Sequence, residues 1–396
     1  MDKNKFNDLF QTAIGITTVV ENIKQCVNEN FDYYWRRLQK LPSVKVKENV
    51  VKDITTKISI VYPIYMQDKG FKLERTQMDM DKIIKYTYHY LAFYTGKLSD
   101  SERVEKYKDE AYINGLASEI CNDIFFNEEL SISLTAETSE YSPLVVGFNT
   151  LCKLLLKYIA VDIAVNDLDF KGKHLNKLFQ QAFGMVQSCL MLAANGLASD
   201  AVALWRTLHE LECVLILLSR YEEGLIKKYI AHQKYYDLEI AKENNLANGQ
   251  IEQLKLELER ERSLYKPKPA EKPFINYGWL LPIKEYRESG RPLAFKGGLQ
   301  DFAGQGDRAT AYVTACKASH PTAVTLIRRQ SKFFVFLIAQ LYESMANLVD
   351  CALTYIRYCK PSFGESDEEV IQTHCDRLNE RYLLFMEKYS NLPPNG

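Results

Sequence analysis

Apolar residues recur every three to four positions along most of this chain, the spacing of helices with one buried face. Phe6, Leu9, Phe10, Ala13, Ile16, Val20 and Ile23 predict helix over 3–40, ended by Pro42. Met80, Ile83, Ile84, Tyr88 and Leu91 mark a second helical stripe over 78–96, and 101–128 is helical in a more mixed way. Between the first two, the stretch from Val44 to Met66 alternates and is β-branched, which predicts one or two short strands. Pro63 would hold such a strand to a sheet edge. The polar, Ser/Thr-rich stretch 129–143 marks a domain boundary.

Beyond Pro143 the pattern is more apolar. Helices are expected over 144–165 and 174–194, with Asn195-Gly196 turning the chain into the next helix, capped by Ser199-Asp200. That helix, to Arg220, is apolar on nearly every side: Val202, Leu204, Trp205, Leu208, Leu211, Val214 to Leu218. A helix of this kind belongs at the centre of its domain. Residues 221–264 read as amphipathic helix with charges of both signs. Prolines and glycines gather in 265–307, read as a long loop and candidate lid. Helix resumes over 308–319, stops at Pro321, and runs again over 323–359 and 367–390. The expected fold is mainly α. A smaller α-rich N-terminal domain (1–142) with one or two short strands precedes a helical bundle (143–360), and a last helix and tail follow (361–396).

Composition narrows the function classes. The 396 residues are 46% hydrophobic with a formal net charge of -1, so no global field draws the chain to nucleic acid or anionic membrane. The nine cysteines are scattered and form no C-x-x-C, which predicts reduced thiols and a cytoplasmic protein. The N-terminus is polar, unlike a signal peptide, and the apolar runs near 186–194 and 211–218 are too short to span a bilayer. No membrane partner is expected. Helix 323–359, with Phe333, Phe334 and Phe336 on different sides, has more apolar surface than one neighbour covers, which predicts a homodimer.

The candidate chemistry starts from Arg206 and Glu210, one turn apart on the apolar central helix, with His209 and Glu212 beside them. Charge in such a setting is costly unless paired. The pair either fixes helix register, or lines a pocket where the guanidinium meets an anion and the carboxylate orients it. A second group is Tyr312, Lys317, Ser319 and His320, where a histidine before a proline has the properties of a general acid or base. The candidate catalytic residues are Arg206, Glu210 and His320; Tyr312, Lys317 and His209 are candidate ligand contacts. No metal-ligand spacing is present, and neither metal nor cofactor is expected. GGLQDFAGQGD lacks the spacing of a phosphate loop. The aromatic run Phe31 to Trp35 beside Arg36-Arg37 reads as a base-stacking platform or as helix packing.

These motifs resemble a bacterial domain-of-unknown-function family, number five-six-seven-seven, over roughly residues 145–360. The matching pieces are Ala201, Leu204, Arg206, Leu208 and Glu210, then Tyr312, Cys316 and His320, before a long apolar helix. The family pattern has serine where Cys316 stands. The resemblance implies an all-helical bacterial domain found beside mobile-element and phage-defence genes. Helical ribonucleases of the HEPN type offer a looser comparison, but their Arg-x4-6-His spacing is not found here. Two functions are therefore in play. One is a defence-type, abortive-infection-like protein whose bundle binds or cleaves a phosphate-bearing ligand such as RNA or a nucleotide, with metal-independent ribonuclease-like chemistry. The other is a non-enzymatic sensor or scaffold whose N-terminal domain binds a partner protein.

Overall fold

The computed structural model describes residues 3–14, 17–38, 46–68, 80–96, 98–127, 142–163, 168–236, 238, 248–318 and 330–390. Among them the regular structure is helical and no strand occurs. The fold is mainly α, as the spacing predicts. Two compact units are each discontinuous in sequence: Met1–Leu154 with Leu190–Leu197 and Glu369–Gly396, and Leu155–Cys189 with Ala198–Glu368.

The first unit begins with α1 (Lys3–Ile14), α2 (Thr17–Leu38), α3 (Glu48–Asp68), α4 (Met80–Thr95), α5 (Asp100–Lys108) and α6 (Glu110–Asn127). The strand expected over 44–66 is instead α3, with Pro63 inside it. The β-branched residues mislead because position outweighs propensity here. Val51, Ile54, Ile58, Val61, Tyr62 and Tyr65 recur at helical spacing, and all are buried in one core with Phe6, Phe31 and Trp35. Phe31 stacks on Trp35 with ring centroids 5.7 Å apart, so these two rings pack the core rather than await a base. The stretch 129–140 lies outside the described residues.

Helices α7 (Ser142–Leu156) and α17 (Glu365–Ser390) also contribute to this unit. Arg381 of α17 is the linchpin, only 1% exposed. It donates to Asp123 (2.6 Å), Glu119 (2.9 Å) and the Pro143 carbonyl (2.6 Å), with its guanidinium over the Tyr90 ring. Asp123 also accepts from Tyr90 and, at 3.0 Å, from Thr150. The buried cation therefore meets enough acceptors to offset its lost hydration.

Two buried histidines make this unit acid-sensitive. Burial, then the charge of Lys85, pushes His89 down to about 4, and burial, then Arg377, pushes His374 down to about 3. Folded values below the ordinary 6.5 mean that the unfolded chain takes protons first. The stability is complete above 6.5 and is lost as pH falls toward 4. Denaturant titrations at pH 7 and pH 4.5 should therefore differ by a few kcal/mol, and His89→Gln should shrink that difference. Equal midpoints at the two pH values would contradict this assignment.

The second unit is built on α9 (Ala198–Arg220), where Trp205, Leu208, His209, Leu211, Glu212 and Leu215 are among the buried residues. Before it, α8 (Phe170–Ala194) ends in a turn where Gly196 has φ 78°, and Leu197 N–H and Gly196 N–H bond back to the Leu192 and Ala193 carbonyls. Gly196 suits this left-handed stop because it has no Cβ. The helix then starts at Ala198, one residue ahead of the expected Ser199-Asp200 cap. After α9 come α10 (Glu223–Ala231) and α11 (Asn248–Arg262).

The loop and lid expected over 265–307 are not found. The segment folds into α12 (Glu271–Tyr277), a 3-10 turn, α13 (Lys284–Glu288), a π turn (Phe295–Leu299), α14 (Gln300–Phe302) and a further 3-10 turn to Arg308. Phe274, Ile275, Trp279, Leu280, Tyr286, Phe295 and Leu299 are all buried. Gly298 is there for packing: a Cβ on it would lie 2.3 Å from the Pro292 carbonyl oxygen. The unit is completed by α15 (Ala309–Ala318) and α16 (Gln330–Cys359), both packed on α9.

The apolar runs near 186–194 and 211–218 are shorter than two other apolar helical segments. Pro143–Ala160 and Lys332–Cys359 are long and apolar enough to cross a membrane by length and composition, and 78% and 50% of these windows are buried inside the fold. Burial on that scale is what core helices of a globular domain show.

Candidate functional site on the central helix

Helix geometry sets the site. Arg206 and Glu210 are four residues apart on α9, so both project from one side; Tyr312 and Cys316 do the same on α15. The two pairs meet. Arg206 Nη2 lies 2.7 Å from Glu210 Oε1 and donates to the Tyr312 hydroxyl at 3.0 Å, while Nε donates to Cys316 Sγ at 3.1 Å. Tyr312 in turn donates to Glu210 Oε1 at 2.5 Å. The guanidinium also sits 5.3 Å from the centre of the Tyr312 ring, a cation–π distance. Arg206, Glu210 and Tyr312 thus form a closed cycle with Cys316 attached through Arg206, and the Arg206 and Glu210 side chains are 35% and 33% exposed.

The protonation states follow. Burial lowers the Arg206 pKa, but the Tyr312 hydrogen bond and the Glu210 charge outweigh it and hold the guanidinium charged. Burial, then the Glu210 hydrogen bond and charge, pushes the Tyr312 phenol well above its ordinary value, so it remains a donor. Burial, then the Glu210 charge, pushes Tyr277 up to about 12.

Of the other expected residues, His209 is fully buried. It stacks on Trp205 with centroids 5.2 Å apart, and its ring nitrogens face Glu212 (3.1 Å) and Gln300 Nε2 (3.0 Å). With Glu212 able only to accept, Nδ1 carries the proton and Nε2 accepts from Gln300. Lys317 is exposed on α15 and makes none of the contacts that hold Arg206. His320 and Ser319 lie outside the described residues. Among the described residues no cluster of three His, Cys, Asp or Glu side chains suits a metal ion.

Below the cycle lies a sealed network of which the sequence pointed to His209 and Glu212 but not to Arg308, Ser344 or Asn347. Glu212 is fully buried and takes four donors: Arg308 Nη1 at 2.7 Å, Asn347 Nδ2 at 2.6 Å, Ser344 Oγ at 2.7 Å and His209. Arg308 is also bound to the Gln340 carbonyl (2.8 Å), to Ser344 (2.8 Å) and to Gln305 (3.3 Å), with its guanidinium 5.3 Å from the Trp205 ring centre. Trp205 Nε1 donates to Ser344 at 3.1 Å. Burial raises the Glu212 pKa, but the His209 hydrogen bond and the Arg308 charge outweigh it and keep the carboxylate ionised. Phe295, 4.4 Å from Tyr312 and 5.7 Å from His209 between ring centres, links the sealed layer to the open one.

The R-x-x-x-E pair of α9 facing the Tyr312 turn of α15 is the arrangement the family resemblance rests on. Residues 173–333 match DUF5677, a family of unknown function. The match takes in Arg206, Glu210, Glu212, Arg308, Tyr312 and Cys316, while Gln340, Ser344 and Asn347 lie beyond its end. The buried layer beneath Arg206, Glu210 and Tyr312 is therefore completed by the α16 segment that follows the matched region. No curated protein and no solved structure matches this chain.

Proposed function

We propose that this chain binds a phosphate-bearing ligand, RNA or a nucleotide, on the α9–α15 face around Arg206, in the defence-type setting the family resemblance implies. One observation carries the reading. Arg206 is one-third exposed yet already fixed by Glu210, Tyr312 and Cys316, and its Nη1 edge has no partner among the described residues. A guanidinium held in place loses little further freedom on binding and offers paired N–H groups to a phosphate. The packed rings of Tyr312 and Phe295 keep that arginine from collapsing inward. Glu210 moderates the positive charge, favouring ligands whose negative charge is concentrated at the Nη1 edge. For cleavage the face supplies a fixed cation and a protonated phenol; His320 is the acid/base group the reaction would need.

Glu210→Gln tests this directly. Removing the carboxylate removes repulsion of an anion while leaving a hydrogen-bond acceptor for Tyr312. Labelled single-stranded RNA at low salt should bind roughly three to ten times more tightly to Glu210→Gln, by fluorescence anisotropy, with the gain shrinking as salt rises. Unchanged affinity would place the ligand elsewhere. RNA incubated with chelator reports the reaction in parallel: cleavage lost in His320→Ala assigns the catalytic form of the proposal. Binding without cleavage assigns a sensor. Absence of any binding to RNA, AMP or ATP removes the proposal.

A further inference from the structure

Between the C-terminal half of α9, the turn that follows α14 and the C-terminal half of α16 lies a cleft of about 440 Å³. That volume is in the range of small-molecule sites. Its polar lining comprises Ser219, Arg220, Gln305, Asn347, Asp350 and Thr354. Arg220 and Asp350 are exposed at the rim, carry opposite charge, and form no ion pair with each other among the described residues. Gln305 and Asn347 are part-buried, and their amide orientations are fixed from behind. Asn347 Nδ2 donates to Glu212, which can only accept. Gln305 Oε1 accepts from Arg308 (3.3 Å), which can only donate, and from Asn347 Nδ2 (3.1 Å). This leaves Asn347 Oδ1 as an acceptor and Gln305 Nε2 as a donor, neither with a partner among the described residues, on two adjacent side chains that line the cleft.

We infer that this cleft binds a small zwitterion bearing a primary carboxamide, an amino acid of the glutamine or asparagine type. An acceptor beside a donor matches the edge of a primary carboxamide, whose N–H and C=O point the same way. Arg220 matches an α-carboxylate, through paired N–H groups, and Asp350 matches an α-ammonium. The ligand's charges neutralise the rim pair, whereas a nucleoside monophosphate would set its dianion beside Asp350. The site is separate from the Arg206 face and shares only the Glu212 network as its back wall. It does not rest on the phosphate-ligand reading.

Isothermal titration calorimetry of the full chain with L-glutamine, L-asparagine, L-glutamate and AMP tests the assignment. Glutamine or asparagine should bind. Glutamate, which replaces the carboxamide N–H donors with charge, should bind at least about tenfold more weakly. Arg220→Ala and Asp350→Asn should each weaken the amide ligand by about tenfold or more. Both side chains are exposed, so melting curves should show both variants folded. Failure of both amino acids to bind at millimolar concentration overturns the inference. So does equal binding of glutamate, or AMP binding that depends on Arg220. None of these three outcomes bears on RNA binding at Arg206, which is read with labelled RNA.

Discussion

Glu212→Ala is expected to destabilise the α9–α16 unit by roughly 3–5 kcal/mol, the range for breaking a buried ion pair from one side. The size follows from what is left behind. Arg308 is 7% exposed and His209 is fully buried, so neither regains water when the carboxylate goes. Ser344 and Asn347 lose an acceptor in the same place. A buried charge without its partner costs far more than the pair contributes when intact. For that reason, Glu212→Leu combined with Arg308→Met should cost clearly less than the sum of the two single changes, the remainder being the unpaired His209, Ser344 and Asn347 donors. Denaturant titrations of the three variants read this cycle. A Glu212→Ala cost below about 1 kcal/mol, or a double change as costly as the two single changes added together, would show that the network is not the anchor of this unit. The sign with pH is also set. The Glu212 carboxyl is held below its ordinary 4.5, so its contribution is complete above that value and fades as pH falls below it.

How much of this was legible in the sequence depends on which force decided each element. Helices with strong apolar stripes, α4 and α9 among them, were readable because burial of one face fixes their period. The α3 segment was not, since its β-branched run imitates a strand and only the positions of Val51, Ile54, Ile58 and Tyr62 show the helical stripe. The 265–307 stretch misled for a related reason. Proline and glycine signal turns, but Phe274, Trp279, Tyr286, Phe295 and Leu299 supply enough apolar anchors to order a series of short helices.

The site was half legible. Arg206, Glu210 and Tyr312 do converge, and the i,i+4 spacing within each helix was the signal. Arg206 and Glu210 lie on the part-exposed side of the central helix, however, rather than on its oily side. The deeper charge is Glu212, on the same stripe as Trp205, Leu208 and His209, which the heptad positions would have singled out. Its partner, Arg308, closes the 3-10 turn just before α15; nothing local marks it, because the pairing is made only by tertiary packing. Ser344 and Asn347, a turn apart on α16, are hidden for the same reason.

The second large effect is functional. Arg206→Ala removes the one fixed guanidinium of the open layer, and loss of a charge-assisted, paired contact to phosphate is expected to cost about 1.5–3 kcal/mol, or roughly ten- to a hundredfold in affinity. Its effect on stability should be small, because partly exposed ion pairs contribute at most about 1 kcal/mol. Arg206→Lys keeps the charge but not the planar fork, and should fall between the parent and the alanine variant. The two layers thus differ in role: the sealed Glu212–Arg308 network is expected to hold the unit, and the one-third-exposed Arg206 cycle is the face proposed to meet the ligand.

Titration of labelled single-stranded RNA into the parent and Arg206→Ala, each with a matched melting curve, tests that division most directly. The expected result is affinity at least about tenfold weaker with the melting temperature lowered by no more than about 4 °C. Equal RNA affinity, or a fall in melting temperature as large as that of Glu212→Ala, would contradict it.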